Sequence, residues 1–220
     1  LHGCVTKTPV GSERQKCSPA LGFRGDDIYG EFRSCRMGEQ TRATLMETET
    51  RESPAVAARL VTKATARLRE LGEQLRVLSP RYALAAGRGS SDAAALLAKY
   101  LFEARLGLPT VSAAPSIRSI YGRQLNIEKA LVLAISQSGR SPDLVEFCRS
   151  ATGTDVLRVG MINDETSPLA EIMDAFLPLE AGPEKSVAAT KSCIAAMTLV
   201  FGLVAHWRND PVMIAAFERT

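Results

Sequence analysis

The sequence predicts a doubly wound α/β domain: a five-stranded parallel sheet, preceded by a long helix and a disordered N-terminal segment. Three observations carry that expectation. Five short apolar runs recur between Tyr82 and Leu179. Helical spacing, rather than hairpin turns, separates most of them. Two serine-rich loops, residues 87–91 and 136–141, each stand between a strand and a helix. Strands alternating with helices form a parallel sheet covered on both faces, and right-handed crossovers wind it in two directions.

Residues 1–45 carry scattered Gly, Pro, Ser and charge with no sustained period. They are expected to be disordered. The first residue is Leu1, and Met37 and Met46 both offer a start, so the segment also reads as an upstream or non-native extension of a domain over 46–220. Order is expected to begin at Ser53-Pro54, an N-cap followed by proline at the first helical position. Val56, Leu60, Ala64, Leu68, Leu71, Leu75 and Leu78 then recur at helical spacing, giving one long amphipathic helix closed by Ser79-Pro80. Strands are predicted over 82–86, 110–114, 130–135, 156–162 and 175–179. Helices are predicted over 92–105, 142–151, 168–173 and 188–207.

Composition narrows the function. The 220 residues are 45% hydrophobic and 23% charged, ordinary for a globular protein. A net charge of +3, from 27 basic and 24 acidic residues, leaves no nucleic-acid footprint. The longest mostly apolar stretch, 193–205, falls short of the roughly 20 residues a membrane span needs. Cys4, Cys17, Cys35, Cys148 and Cys193 form no CxxC pair and no histidine cluster joins them, so no metal site is expected. Cys148 and Cys193 read as buried, inert thiols. Without a signal-peptide pattern, the expected compartment is the cytoplasm.

The loops carry the chemistry. In doubly wound sheets, ligands bind beyond the carboxyl ends of the strands, where both loops are predicted to lie. In Ser136-Gln137-Ser138-Gly139-Arg140-Ser141, small residues let the backbone approach a ligand, and the helix that follows offers N–H groups and partial positive charge to an anion. Three hydroxyls and an amide add neutral donors. The same loop also reads as a polar turn in which Ser141 merely caps its helix. Gly87-Arg88-Gly89-Ser90-Ser91 has the same context. It lacks the third glycine of a dinucleotide fingerprint, and no GxxxxGK[ST] occurs, so no nucleotide cofactor is expected.

Ser136-Gln137-Ser138-Gly139 with Ser141 resembles the SQSGxT/S loop of sugar isomerase (SIS) domains. Residues 46–207 are similar to the first half of the isomerase part of glutamine–fructose-6-phosphate aminotransferases and their deaminase-like relatives. Gly89-Ser90-Ser91 aligns with that family's CGTS loop. Residues 182–191, GPEKSVAATK, are similar to its GPExxVAST-K segment. The resemblance implies phosphate binding by Ser91, Ser136, Gln137, Ser138 and Ser141, with Ser90 and the Val187 backbone at the sugar. Arg88 departs from the family's Cys and reads either as a cation near the ligand or as a solvent-facing side chain. Ala189 replaces a Ser, which puts sugar contacts there in doubt. Glu184 and Lys185 read as a solvated loop pair and His206 as a packing or capping residue, while His2 falls in the N-terminal segment.

The resemblance further implies a cytoplasmic homodimer, packed through the long helix, that binds glucosamine-6-phosphate or fructose-6-phosphate and isomerises, deaminates or aminates it. The family's second, similar domain carries most of its ring-opening and proton-transfer residues and is expected to be absent here. No acid/base stands out in 46–220, so the chain is expected to be an incomplete enzyme. The alternative is the sensing domain of a regulator, but residues 1–52 show no helix-turn-helix periodicity.

Overall fold

The computed structural model describes residues 43–220. The expectation of disorder over 1–45 therefore lies, for all but its last three residues, outside the described residues. Helix α1 (Leu45–Leu78) starts nine residues before the expected Ser53-Pro54 boundary, with Thr44 rather than Ser53 as its N-cap. The reason is an N-cap: Thr44 Oγ1 accepts from the Glu47 N–H at 3.1 Å. Pro54 lies inside the helix rather than at its start. The apolar stripe of α1 is buried from Val56 to Leu75, with Leu60, Leu68 and Leu75 fully inaccessible and Leu78 partly buried.

The remaining elements are β1 (Tyr82–Ala86), α2 (Ser90–Leu101), β2 (Thr110–Ser112), α3 (Ser116–Ser119), β3 (Ala130–Ser136), α4 (Pro142–Ser150), β4 (Val156–Ile162), α5 (Pro168–Glu171), β5 (Ala175–Pro178), α6 (Lys191–Arg208) and α7 (Pro211–Glu218). All five strands run parallel in the order β2-β1-β3-β4-β5. Every residue of central strand β3 is buried, as a sheet covered on both faces requires. Alternate side chains divide between two cores. Leu131, Leu133, Ile135, Val159 and Met161 face a layer that includes α1, α2 and α6. Val132, Ala134 and Ile162 face a layer that includes Leu144 and Phe147 of α4.

Three local differences follow from capping and turn chemistry. Helix α2 gives way to a π-helical turn over Phe102–Leu106, closed by Gly107 at φ 64°. Helix α6 starts at Lys191 rather than 188, because the preceding residues form part of a separate loop described below. The unexpected α7 follows Asn209, which ends α6 in the left-handed region. It begins at Asp210, whose side chain accepts from the Val212 and Met213 N–H groups, with Pro211 at the first helical position. No helix among the described residues is long and apolar enough to cross a membrane.

Candidate phosphosugar site

Strand order 2-1-3-4-5 places the topological switch between β1 and β3, where an α/β sheet opens a crevice at its carboxyl edge. Both serine-rich loops leave from these two strands. A third segment, the strap 182–190, runs between β5 and α6. Together they line one cleft of about 280 Å³, close to the smaller end of small-molecule sites (about 300–1,000 Å³). Ser90, Ser91, Ser136, Gln137, Ser138, Ser141 and Val187 all line it, so the fold gathers every expected site residue from three separate stretches of chain. Arg88, Glu184, Ser186 and Ala189 complete much of the wall.

Two glycines make the loops possible. A Cβ on Gly87 would stand 2.6 Å from the Ser91 carbonyl oxygen, so only glycine lets the start of α2 fold back onto the strand end. Gly139 sits at φ +62°, and a Cβ there would meet Ser167 Oγ at 2.0 Å. Its N–H donates to Ser136 Oγ at 2.9 Å, closing the loop over the end of β3. The buried Ser136 hydroxyl thus accepts from the loop while its own proton stays available for a ligand. Ser138 Oγ likewise accepts from the Arg140 N–H at 3.3 Å.

Ser141 is engaged differently. It is the N-cap residue of α4 but makes no side-chain cap bond. Its hydroxyl donates instead to Asp143 Oδ1 at 2.7 Å, and the other Asp143 oxygen lies 3.0 Å from Arg88 Nη1. Both readings of Arg88 hold in part: it lines the cleft wall, held by a carboxylate beside the serine cradle, and its side chain is 59% exposed to solvent. Arg140 turns to Asp164, with Nη2 at 2.8 Å. The Thr166 hydroxyl, followed by Arg140, holds the Asp164 carboxyl below the usual range.

Glu184 and its surroundings depart from the solvated pair expected at 184–185. Glu184 Oε1 accepts from the Thr190 N–H at 2.8 Å and the Ser192 N–H at 3.3 Å, and Oε2 accepts from the Ser192 hydroxyl. It therefore caps α6 from outside the helix, where Thr190 supplies no cap of its own. The backbone N–H of Lys185 donates to Glu49, a residue of α1 outside the expected site. The only signal in the sequence is that Glu49, Ser53, Val56 and Leu60 follow 4-3-4 spacing, which puts an acid on the buried stripe. Asn163, just past β4, carries no such signal in the sequence; its side chain clamps the strap's start through Ala181 N and Gly182 O.

Outside the cleft, His206 packs edge-on to Phe217 with centroids 6.2 Å apart, a packing role as expected. Burial pushes the Cys148 thiol up to about 12 and raises that of Cys193, where Glu184 adds to the effect. Neither thiol has thiolate character. Among the described residues, no group of three or more His, Cys, Asp or Glu could hold a metal ion.

Comparison with known proteins agrees with this geometry. The chain is 36% identical over 132 residues to the isomerising glutamine–fructose-6-phosphate aminotransferase of Methanothermobacter thermautotrophicus, covering 60% of this chain and 22% of that protein. It thus spans about a fifth of the length of such relatives. A candidate phosphosugar isomerase from Silicibacter pomeroyi superposes with TM-score 0.75 at 37% identity, over 80% of this chain and 54% of that one. The C-terminal domain of glucosamine-fructose-6-phosphate aminotransferase from Francisella tularensis shares the fold, with TM-score 0.65 at 22% identity over 82% of this chain and 53% of that one. The family model for the SIS domain matches residues 79–205, more than half of the chain. The parallel sheet, the serine cradle at its switch point and these matches agree: the chain belongs to the SIS domain family.

Proposed function

We propose that this chain binds a hexose 6-phosphate in the β1/β3 cleft, as the phosphosugar-binding domain of an amino-sugar-phosphate isomerase or deaminase acting on glucosamine-6-phosphate or fructose-6-phosphate. One observation carries the reading: two hydroxyl-rich loops and the strap converge on a single cleft at the switch point. Ser136, Gln137, Ser138, Ser141 and Ser91 hold the phosphate through neutral donors near the N-terminal ends of α2 and α4. Ser90 and the strap around Val187 face the sugar. A cradle of neutral donors suits reversible substrate binding, because it holds the anion without a tight ion pair. In this reading the protein works in the cytoplasm as a homodimer.

Moving a proton between C1 and C2 of the sugar needs a free acid or base. Glu184 is the carboxylate in the wall described above, and its oxygens are spent on α6. The chain therefore binds its ligand but turns it over little without further groups.

The test is calorimetric titration of the full chain with glucosamine-6-phosphate and fructose-6-phosphate, with Ser138→Ala as control. Binding by the wild type that falls at least tenfold in Ser138→Ala supports the assignment. A folded protein that ignores both sugars at millimolar concentration would refute the ligand class.

A further inference from the structure

The strap that walls the cleft is held from α1, across more than 130 residues of sequence. Glu49 is buried at 6% exposure, although acids are almost never buried without partners. Its partners all come from the strap. Oε1 accepts from the Lys185 N–H at 2.6 Å, and Oε2 accepts from the Ser186 N–H at 3.1 Å and from the Ser186 hydroxyl. The Ser186 hydroxyl and the Lys185 amide hold the Glu49 carboxyl below its ordinary range, with Lys191 adding a smaller pull. One turn further along α1, Glu52 pairs with Lys191 Nζ at 2.5 Å, just where the strap enters α6. Lys191 is itself buried.

Two neighbouring turns of α1 thus fix the middle and the end of the strap. Ser186, Val187 and Ala189 line the cleft within four residues of those anchors. A strap of this kind, carrying no regular structure of its own, keeps one conformation only if its polar backbone groups are satisfied.

We infer that Glu49 is a positioning residue of the phosphosugar site: it holds residues 185–186 so that the strap closes the sugar side of the cleft, and ligand affinity is thereby set from the N-terminal turns of α1. The inference rests on the ligand class proposed above. It gives α1 a second task besides covering the sheet.

The test uses the full chain as wild type, Glu49→Ala and Glu49→Gln, with two readouts. Amide hydrogen exchange over 182–190 reports the strap directly, and titration with glucosamine-6-phosphate reports the site. Both variants should expose the Lys185 and Ser186 amides to fast exchange while protection of β3 stays at wild-type level. Both should also bind the sugar phosphate at least tenfold more weakly. Gln fails like Ala because its amide nitrogen cannot accept from a second donor. Wild-type protection of 185–186 in the variants, or wild-type affinity in them, would overturn the inference. If even the wild type binds no sugar phosphate, the ligand class fails, and exchange alone judges the strap: unprotected amides at 185–186 in the wild type would overturn it.

Discussion

Removing the Arg88 guanidinium should weaken phosphate binding through a charge it no longer masks, and removing that charge should restore binding. Ser141 Oγ stands 2.7 Å from Asp143 Oδ1. If the Ser141 hydroxyl turns its one proton from Asp143 to a phosphate oxygen at about 2.7 Å, that oxygen comes within roughly 4–5 Å of the carboxylate. Two unit charges at that separation repel by about 1–4 kcal/mol across effective dielectrics of 80 to 20. That is roughly a 5- to 700-fold change in Kd. In the wild type, Arg88 at 3.0 Å from Asp143 cancels most of it. The Arg88 side chain is 59% exposed, so the ion pair itself contributes under about 1 kcal/mol to folding. Arg88→Ala should therefore leave thermal unfolding nearly unchanged while weakening glucosamine-6-phosphate binding about tenfold at physiological salt. The loss should shrink in 1 M salt, where screening acts within about 3 Å. Asp143→Asn keeps an acceptor for Ser141 and removes the charge, so the double variant should bind close to wild type. Titration calorimetry of the four proteins measures this directly. Wild-type affinity in Arg88→Ala, or no recovery in the double variant, would refute the masking argument; the second outcome would make Arg88 a direct phosphate ligand instead.

Two further outcomes follow from the loops and the core. Gly139→Ala combines a left-handed backbone with a Cβ 2.0 Å from Ser167 Oγ; it should cost at least about 2 kcal/mol, lower the melting temperature by roughly 5 °C, and abolish sugar-phosphate binding. Burial holds the His206 pKa below its ordinary value, so the folded protein keeps this imidazole neutral where the unfolded chain protonates it. Stability should be full above about pH 6.5 and fall as the pH drops below it, and His206→Gln should flatten that part of a melting-temperature profile.

Much of the fold was legible because its signals are local. The runs at 82–86 and 130–135 are apolar or aromatic along their whole length, and 156–162 is so apart from Arg158 and Gly160, as a doubly covered sheet demands; the structure places strands there within a residue. The start of α1 was misread because Ser53-Pro54 imitates a helix start, whereas the true cap, Thr44 with Glu47, lies in a stretch whose threonines and charges hide the period. Thr48 and Thr50 hydroxyls bond back to Thr44 O and Met46 O, so polar residues there belong to the helix. Helix α7 was missed for want of length: eight residues give too short a window for a 3.6-residue period to show.

The site was legible to the extent that its residues follow strand ends. Ser136, Ser138 and Ser141 carry their meaning in a six-residue loop, and the switch-point topology brings Ser90 and Ser91 beside them. What stayed hidden are the acids, because a carboxylate's role is set by the partner it meets and not by its neighbours in sequence. Glu184 lies in the cleft wall, where an acid invites a catalytic reading, yet its oxygens face the first amides of α6. Asp143 looks like ordinary first-turn acid on α4 but bridges Ser141 and Arg88. Glu49 sits in a helix 136 residues from the loop it holds. Each acid meets unpaired N–H groups, a hydroxyl or a cation that the chain had to bury or bring close to an anion site. Neutral hydroxyls thus line much of the cleft while the acids around it are engaged by the scaffold, which is the division expected if the cleft takes the dianion proposed above.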